Sequence, residues 1–95
     1  IYYSLIMSDR SSMDFDGWIQ DPFGNWSIRF HRDQRSWSRY PFVFLDKGRA
    51  MSDGSPALLK SRRYLPKSDA IELWINLQAN GWSTVEPQWG TDIDP

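Results

Sequence analysis

An alternating strand that follows a tight turn is the feature that most restricts the fold of this chain. In residues 26–31, apolar side chains (Trp26, Ile28, Phe30) occupy every second position and polar ones lie between them. Successive side chains of a strand point to opposite faces, so this run predicts a strand with one apolar and one polar face. The Pro- and Gly-containing residues 21–25 and the short run 17–20 predict the turn and partner strand of a hairpin.

The middle of the chain predicts further strands. Residues 42–45 are apolar on both faces, which is typical of a covered central strand. Residues 46–49 contain Asp, Lys and Gly and predict a turn that leads into a brief strand around Ala50 and Met51. Residues 57–65 fit either a strand or one to two helical turns, and the sequence leaves the two alternatives open.

One helix is predicted after Pro66. Ser68 or Asp69 can cap its start, and Asp69 with Glu72 has the spacing of a capping box. Gly81 suits the position after its end, and residues 82–85 return to an extended run. The apolar face of this helix consists of Ala70, Ile71, Leu73, Trp74, Ile75 and Leu77. The predicted fold is therefore α+β, with a small antiparallel sheet of three to five strands and one helix of the C-terminal half packed across it.

We expect one α+β domain over residues 14–90. Residues 1–13 are expected to be a leader that is disordered or not native, with a strand over residues 2–6 as the alternative, and residues 91–95 form an acidic tail. The chain contains no Cys, which suits a reducing cytoplasm. No apolar run approaches the roughly 20 residues of a membrane span, so no membrane association is predicted.

Charge is segregated along the chain. Residues 29–67 hold ten Lys or Arg and three Asp, a balance of +7, whereas residues 1–28 total −3 and residues 68–95 total −5. The net charge of −1 conceals this polarity. Because the local field governs which partners a small protein attracts, the basic middle is where we expect a partner to bind.

The candidate partner-binding residues combine basic and aromatic side chains. Four Arg are interleaved with Trp37 and Tyr40 between residues 29 and 40, a composition that suits phosphates and stacked bases but also a solvated loop. A second basic cluster follows at residues 60–63, where Arg62 or Arg63 could instead pair with Glu72 or the acidic tail. Trp89 fits either a surface anchor or a cap on the edge of the core. The candidates are Arg29, Arg32, Arg35, Trp37, Arg39, Lys60, Arg62, Arg63 and Trp89.

No residue pattern predicts an enzyme, a cofactor or a metal. His31 is the single His, and the ligands that a zinc site requires do not accompany it. We expect His31 on the outer face of its strand. No nucleophile, base and orienting group can be assembled from the sequence, so we expect a non-enzymatic protein.

The order of these segments resembles a family of small cyanobacterial proteins known as domain of unknown function 1651. The resemblance covers about residues 16–90 and implies a cyanobacterial, cytosolic protein with no activity, cofactor or catalytic residue to transfer. The matching segments are Gly17-Trp18, Asp21-Pro22, Gly24-Asn25-Trp26, Arg29-Phe30-His31, residues 56–63, residues 69–74, Gly81-Trp82 and residues 86–89.

Two functional hypotheses follow. The first is a non-enzymatic module that docks a protein partner through its aromatic and basic surface, since the chain carries six Trp, five Phe and four Tyr, more aromatic residues than one small core requires. The second is a nucleic-acid-binding protein that uses the basic residues of the segment 29–67. The sequence leaves the partner's identity and the oligomeric state open.

Overall fold

A computed structural model describes residues 16–53 and 58–90 of the chain. The predicted leader 1–13, the acidic tail 91–95 and Ala57 lie outside these residues. Within them, five strands and one helix confirm the predicted α+β class. The elements are β1 (Asp16–Gln20), β2 (Trp26–Arg32), β3 (Phe42–Arg49), β4 (Leu58–Pro66), α1 (Lys67–Ala79) and β5 (Ser83–Thr84).

The strands form one antiparallel sheet in the order β4-β3-β2-β1-β5. The predicted hairpin is confirmed, since β1 pairs with β2 along its full length. The carboxylate of Asp21 closes the turn between them by accepting the backbone N–H groups of Asn25 (2.7 Å) and Trp26 (3.1 Å). An Asp that bonds the backbone of its own turn is a common turn device, and here it fixes the register of the hairpin.

The turn predicted at residues 46–49 is wrong. Strand β3 continues through these residues to Arg49, and Ala50 and Met51 lie beyond its end. The strand persists because it is central: residues 46–49 pair with β2 on one side and with β4 on the other, apart from a register shift at Lys47 and Gly48. Pairing on both sides satisfies the backbone groups and overrides the turn propensity of single residues.

Residues 58–66 form strand β4, which settles the open choice between strand and helix. The chain then passes from β4 into α1 without a loop, and the N–H of Lys67 donates to the carbonyl oxygen of Pro41 (2.8 Å). The predicted cap at Ser68 or Asp69 is wrong, because the N-cap position is Pro66 and no side chain caps the helix. Gly81 follows the end of α1 with a φ of +94°, a backbone conformation that glycine adopts without strain.

The apolar face predicted for β2 contributes to the core. Ile28 and Phe30 are buried in one cluster with Ala70 and Trp74 of α1, and the Phe30 and Trp74 rings meet edge to face at 5.1 Å. Ile19, Val43 and Leu45 complete the buried cluster. These buried side chains lie on the face of the sheet that α1 contacts. Among the described residues, no helix is long and apolar enough to cross a membrane.

Candidate functional site

The face of the sheet opposite α1, here called the second face, carries both aromatic and charged side chains. Antiparallel register aligns them in rows across the strands, because residues directly opposite each other share a face. One row joins Arg29, Asp46 and Arg62, and the neighbouring row joins His31, Phe44 and Tyr64. The basic and aromatic groups of three strands are thereby brought together.

Asp46 is the centre of the charged row. It is fully buried, and its carboxylate accepts two hydrogen bonds from Arg62, from Nε at 2.6 Å and from Nη2 at 2.8 Å. His31 donates a third hydrogen bond from Nε2 at 2.7 Å. Burial by itself raises the pKa of Asp46, but the bonds from Arg62 and His31 outweigh it and hold the pKa at about 2. The carboxylate is therefore ionised at every physiological pH.

The depressed pKa of Asp46 predicts a loss of stability in acid. A carboxyl group whose pKa falls from 3.8 in the unfolded chain to about 2 in the folded protein stabilises the fold above pH 4. This contribution, about 2 kcal/mol, disappears as the pH falls from about 4 to about 2. We expect the difference in unfolding free energy between the wild type and Asp46→Asn, measured by urea denaturation, to shrink over this range.

The exposed carboxylate Glu86 provides the control for the acid experiment. The difference between the wild type and Glu86→Gln should be small at every pH, because a surface charge away from such a network contributes little. A pH-independent difference for Asp46→Asn would contradict the assignment of Asp46 as the stabilising carboxylate.

Four aromatic side chains form a connected group, here called the aromatic row. They are Tyr40 of the loop before β3, Phe42 and Phe44 of β3, and Tyr64 of β4. The Phe42 and Tyr64 rings stack with centroids 4.8 Å apart and an interplanar angle of 14°. Tyr40 meets the edge of Phe42 at 5.4 Å, and Phe44 lies 4.9 Å from Tyr64. Tyr40 is 56% exposed and Tyr64 is 47% exposed, whereas both Phe rings are half-buried. The row thus presents partly exposed apolar area on a rigid strand pair.

Charged side chains contact the aromatic row at two points, Phe44 and Tyr64. The guanidinium of Arg62 lies 4.3 Å from the centre of the Phe44 ring, a favourable cation–π arrangement. The Tyr64 hydroxyl donates to the carboxylate of Asp33, which lowers the pKa of Asp33 and raises the pKa of Tyr64. Phe44 and Tyr64 are thus each in contact with a charged group as well as with other rings.

The loop 33–41 next to the aromatic row is braced by its own hydrogen bonds. The Ser36 hydroxyl donates to the carbonyl of Asp33 (2.6 Å) and accepts the N–H of Phe42 (3.1 Å). The N–H of Asp33 donates to the carbonyl of Phe42 (2.9 Å), which closes the base of the loop. Trp37 and Tyr40 are therefore exposed on a defined loop, with 66% of Trp37 accessible to solvent.

The structure divides the basic candidates into four groups. Arg29 and Arg62 are held by carboxylates, Arg29 by Asp16 at 3.4 Å. Arg32 donates within the loop to Gln34 and to the carbonyl of Ser36. Arg63 is exposed but lies on the face that α1 covers. Arg35, Arg39 and Lys60 are exposed. Asp16 and Asp46 thus pair with one cation from each basic cluster, Arg29 and Arg62, so the two clusters do not form one free basic surface.

Trp89 is buried rather than exposed. Only 8% of it is accessible, and its ring lies 4.7 Å from the ring of Trp18 on the second face. It also lies directly over Gly48, where an added Cβ would come within 2.7 Å of its ring. This burial corrects the surface-anchor interpretation, because Trp89 packs on the second face against Trp18 of β1 and over Gly48 of β3. Gly48 is small because the Trp89 ring occupies the space above it.

Sequence reasoning missed Phe42, Phe44, Tyr64 and Asp46. The signal was present in β3, since Phe42 and Phe44 are two residues apart and must share a face opposite Val43 and Leu45. It was hidden because residues 42–45 are all apolar and fit a strand that is covered on both sides. Tyr64 could be placed only after residues 58–66 were known to be a strand.

The second face combines hydrogen-bonded charged groups with partly exposed aromatic area. Among residues 16–53 and 58–90, no group of three His, Asp or Glu side chains could hold a metal ion. His31 and Asp46 bond each other, and the second face offers aromatic contact area beside exposed cations.

Comparison with known proteins identifies a family. A family model described as a protein of unknown function (DUF1651) matches residues 16–89. Searches of curated proteins and of solved structures returned no significant match.

Proposed function

Since the chain belongs to the DUF1651 family of proteins of unknown function, we propose from its surface that it is a binding module that docks a protein partner. The observation that carries the proposal is the aromatic row, a connected set of partly exposed rings. The loop that contributes Tyr40 to this row also exposes Trp37. Aromatic residues in such clusters supply most of the energy of many protein interfaces. The exposed Arg35 and Arg39 then supply the polar rim.

Two features favour a protein over a nucleic acid. Arg29 and Arg62 are paired with Asp16 and Asp46, so fewer cations remain to neutralise phosphates than the +7 of the segment suggests. Phe42 and Tyr64 also stack on each other, so one face of each ring is occupied and cannot stack on a base. Single-strand binding depends on both free cations and free ring faces.

The proposed location is the cytoplasm. The chain has no Cys, which suits a reducing compartment. We also propose a cyanobacterial source, on the resemblance alone, and a non-enzymatic role, on the grounds that the second face carries contact area rather than a reactive group.

Alanine variants test the docking proposal. The immobilised wild-type protein should retain a specific partner from an extract of the native host, identified by quantitative mass spectrometry. Trp37→Ala and Tyr40→Ala should each reduce retention at least tenfold, because truncating an aromatic hot-spot residue costs about 2 kcal/mol or more. Both side chains are more than half exposed, so the fold should survive their loss.

Phe23→Ala is the matched control. Phe23 is 84% exposed in the β1–β2 turn, outside the aromatic row, so its removal should leave retention unchanged. Equal retention by all variants would contradict docking through this surface. Retention of nucleic acid that collapses between 50 and 200 mM salt would instead establish the nucleic-acid alternative, because phosphate contacts release counterions.

A further inference from the structure

A cavity of about 320 Å³ lies on the face of the sheet that α1 covers, on the opposite side from the proposed docking surface. Its volume is within the range of small-molecule sites. At about 30 Å³ per water-sized group, it has room for roughly ten non-hydrogen atoms. The cavity is lined by Ile28, Leu45, Lys47, Ser61, Arg63, Leu73, Leu77 and Trp82.

The lining combines apolar and polar side chains. Strand register aligns Ile28 with Lys47 and Ser61 in one row, and Leu45 with Arg63 in the next. The strand residues of the lining therefore change from Ile28 on β2, through Leu45 and Lys47 on β3, to Ser61 and Arg63 on the edge strand β4. The helix adds Leu73 and Leu77, which are four residues apart and so share one face of α1. Trp82, beyond the end of α1, contributes a further apolar wall.

Both charged residues of the lining are cations. Arg63 is exposed, whereas Lys47 is half-buried with its Nζ 4.6 Å above the ring of Trp26. In the part of the chain that the structure describes, neither takes part in an ion pair. Two cations and a hydroxyl beside the apolar side chains of one cavity are complementary to an anion with an apolar body.

We propose that this cavity binds a small amphipathic carboxylate of about ten non-hydrogen atoms. Its carboxylate bonds Lys47, Arg63 and the hydroxyl of Ser61, and its apolar body lies between Ile28 and the helix residues Leu73 and Leu77. The proposal does not depend on protein docking, because the two sites lie on opposite faces of the sheet.

Octanoate, with ten non-hydrogen atoms, is the probe, and octanamide is the neutral ligand of the same size. Titration at pH 7, followed by proton–nitrogen NMR, should shift the indole N–H of Trp82 and the amides of Leu73 and Leu77. We expect octanoate to bind at least tenfold more tightly than octanamide, since the amide lacks the charge that Lys47 and Arg63 recognise.

Variants separate charge recognition from simple burial. The double variant Lys47→Met, Arg63→Met removes both charges but keeps an unbranched apolar stem at each position, and it should weaken octanoate at least tenfold while changing octanamide less than twofold. Lys60→Met is the control, because Lys60 is exposed on the same strand but does not line the cavity. The proposal is overturned if octanoate shifts none of the three signals at 10 mM, if it binds no more tightly than octanamide, or if Lys60→Met has the same effect.

Discussion

Replacement of Asp46 by Asn should lower the free energy of unfolding by about 3 kcal/mol, because it removes the charge that neutralises a partly buried Arg62. Asp46 is fully buried, whereas 27% of the Arg62 side chain is accessible. We therefore expect the low end of the range for broken buried ion pairs, about 3–5 kcal/mol. Urea denaturation followed by Trp fluorescence measures the change.

A double-mutant cycle with Arg62→Met tests the mechanism. If the cost of Asp46→Asn comes from an unpaired guanidinium, this substitution should lower the unfolding free energy less in the Arg62→Met variant than in the wild type. The two effects should consequently be less than additive by about 1 kcal/mol or more. Strict additivity, or a loss below 1 kcal/mol for Asp46→Asn, would contradict the role given to this pair.

The Asp46 variant should also affect the docking surface. Arg62 lies under the Phe44 ring because both of its hydrogen bonds to Asp46 hold it there. Loss of the carboxylate frees the guanidinium and, with it, the support of the aromatic row. Any loss of docking should therefore be interpreted together with the stability of the variant at the temperature of the assay.

Replacement of Trp74 by Ala should cost about 3–5 kcal/mol, the range for large aromatic residues removed from a core. Trp74 is 7% exposed, packs against the edge of Phe30 and joins α1 to the buried side of the sheet. For a domain of this size, such a loss lowers Tm by more than about 12 °C. Thermal unfolding monitored by circular dichroism provides the measurement.

Trp37→Ala is the matched control, since the same side chain is removed from a position that is 66% exposed. We expect a change within about 0.5 kcal/mol, as for most surface substitutions. Similar losses for the two variants would show that α1 is not anchored to the sheet through Trp74.

The predicted and observed elements agree best where periodicity is strong. The alternation of β2 gave its bounds to within one residue and placed Ile28 and Phe30 together on the core face, although Ser27 and Arg29 on its polar face are also buried. The wide apolar face of the helix likewise identified α1 and its buried Trp74. Prediction failed at residues 46–49, where Asp, Lys and Gly are typical of turns but are held in a central strand by pairing on both sides.

The candidate site was predicted only in part. The Arg-rich loop and Trp37 were found from composition, and Arg35, Trp37 and Arg39 are exposed. The ion pairs of Arg29 and Arg62 were missed because their partners, Asp16 and Asp46, are 13 and 16 residues away in the chain. No local pattern indicates a partner at that separation.

The sequence by itself therefore determined the fold class, the alternation of β2 and the segregation of basic charge into residues 29–67. These properties depend on neighbours within a few residues, so period and composition reveal them. Only the tertiary structure decided which charges are neutralised, that Trp89 is buried, and that Phe42, Phe44 and Tyr64 join Tyr40 in the aromatic row. Such properties depend on strand register, which pairs residues distant in the chain and is fixed by the burial of the whole sheet.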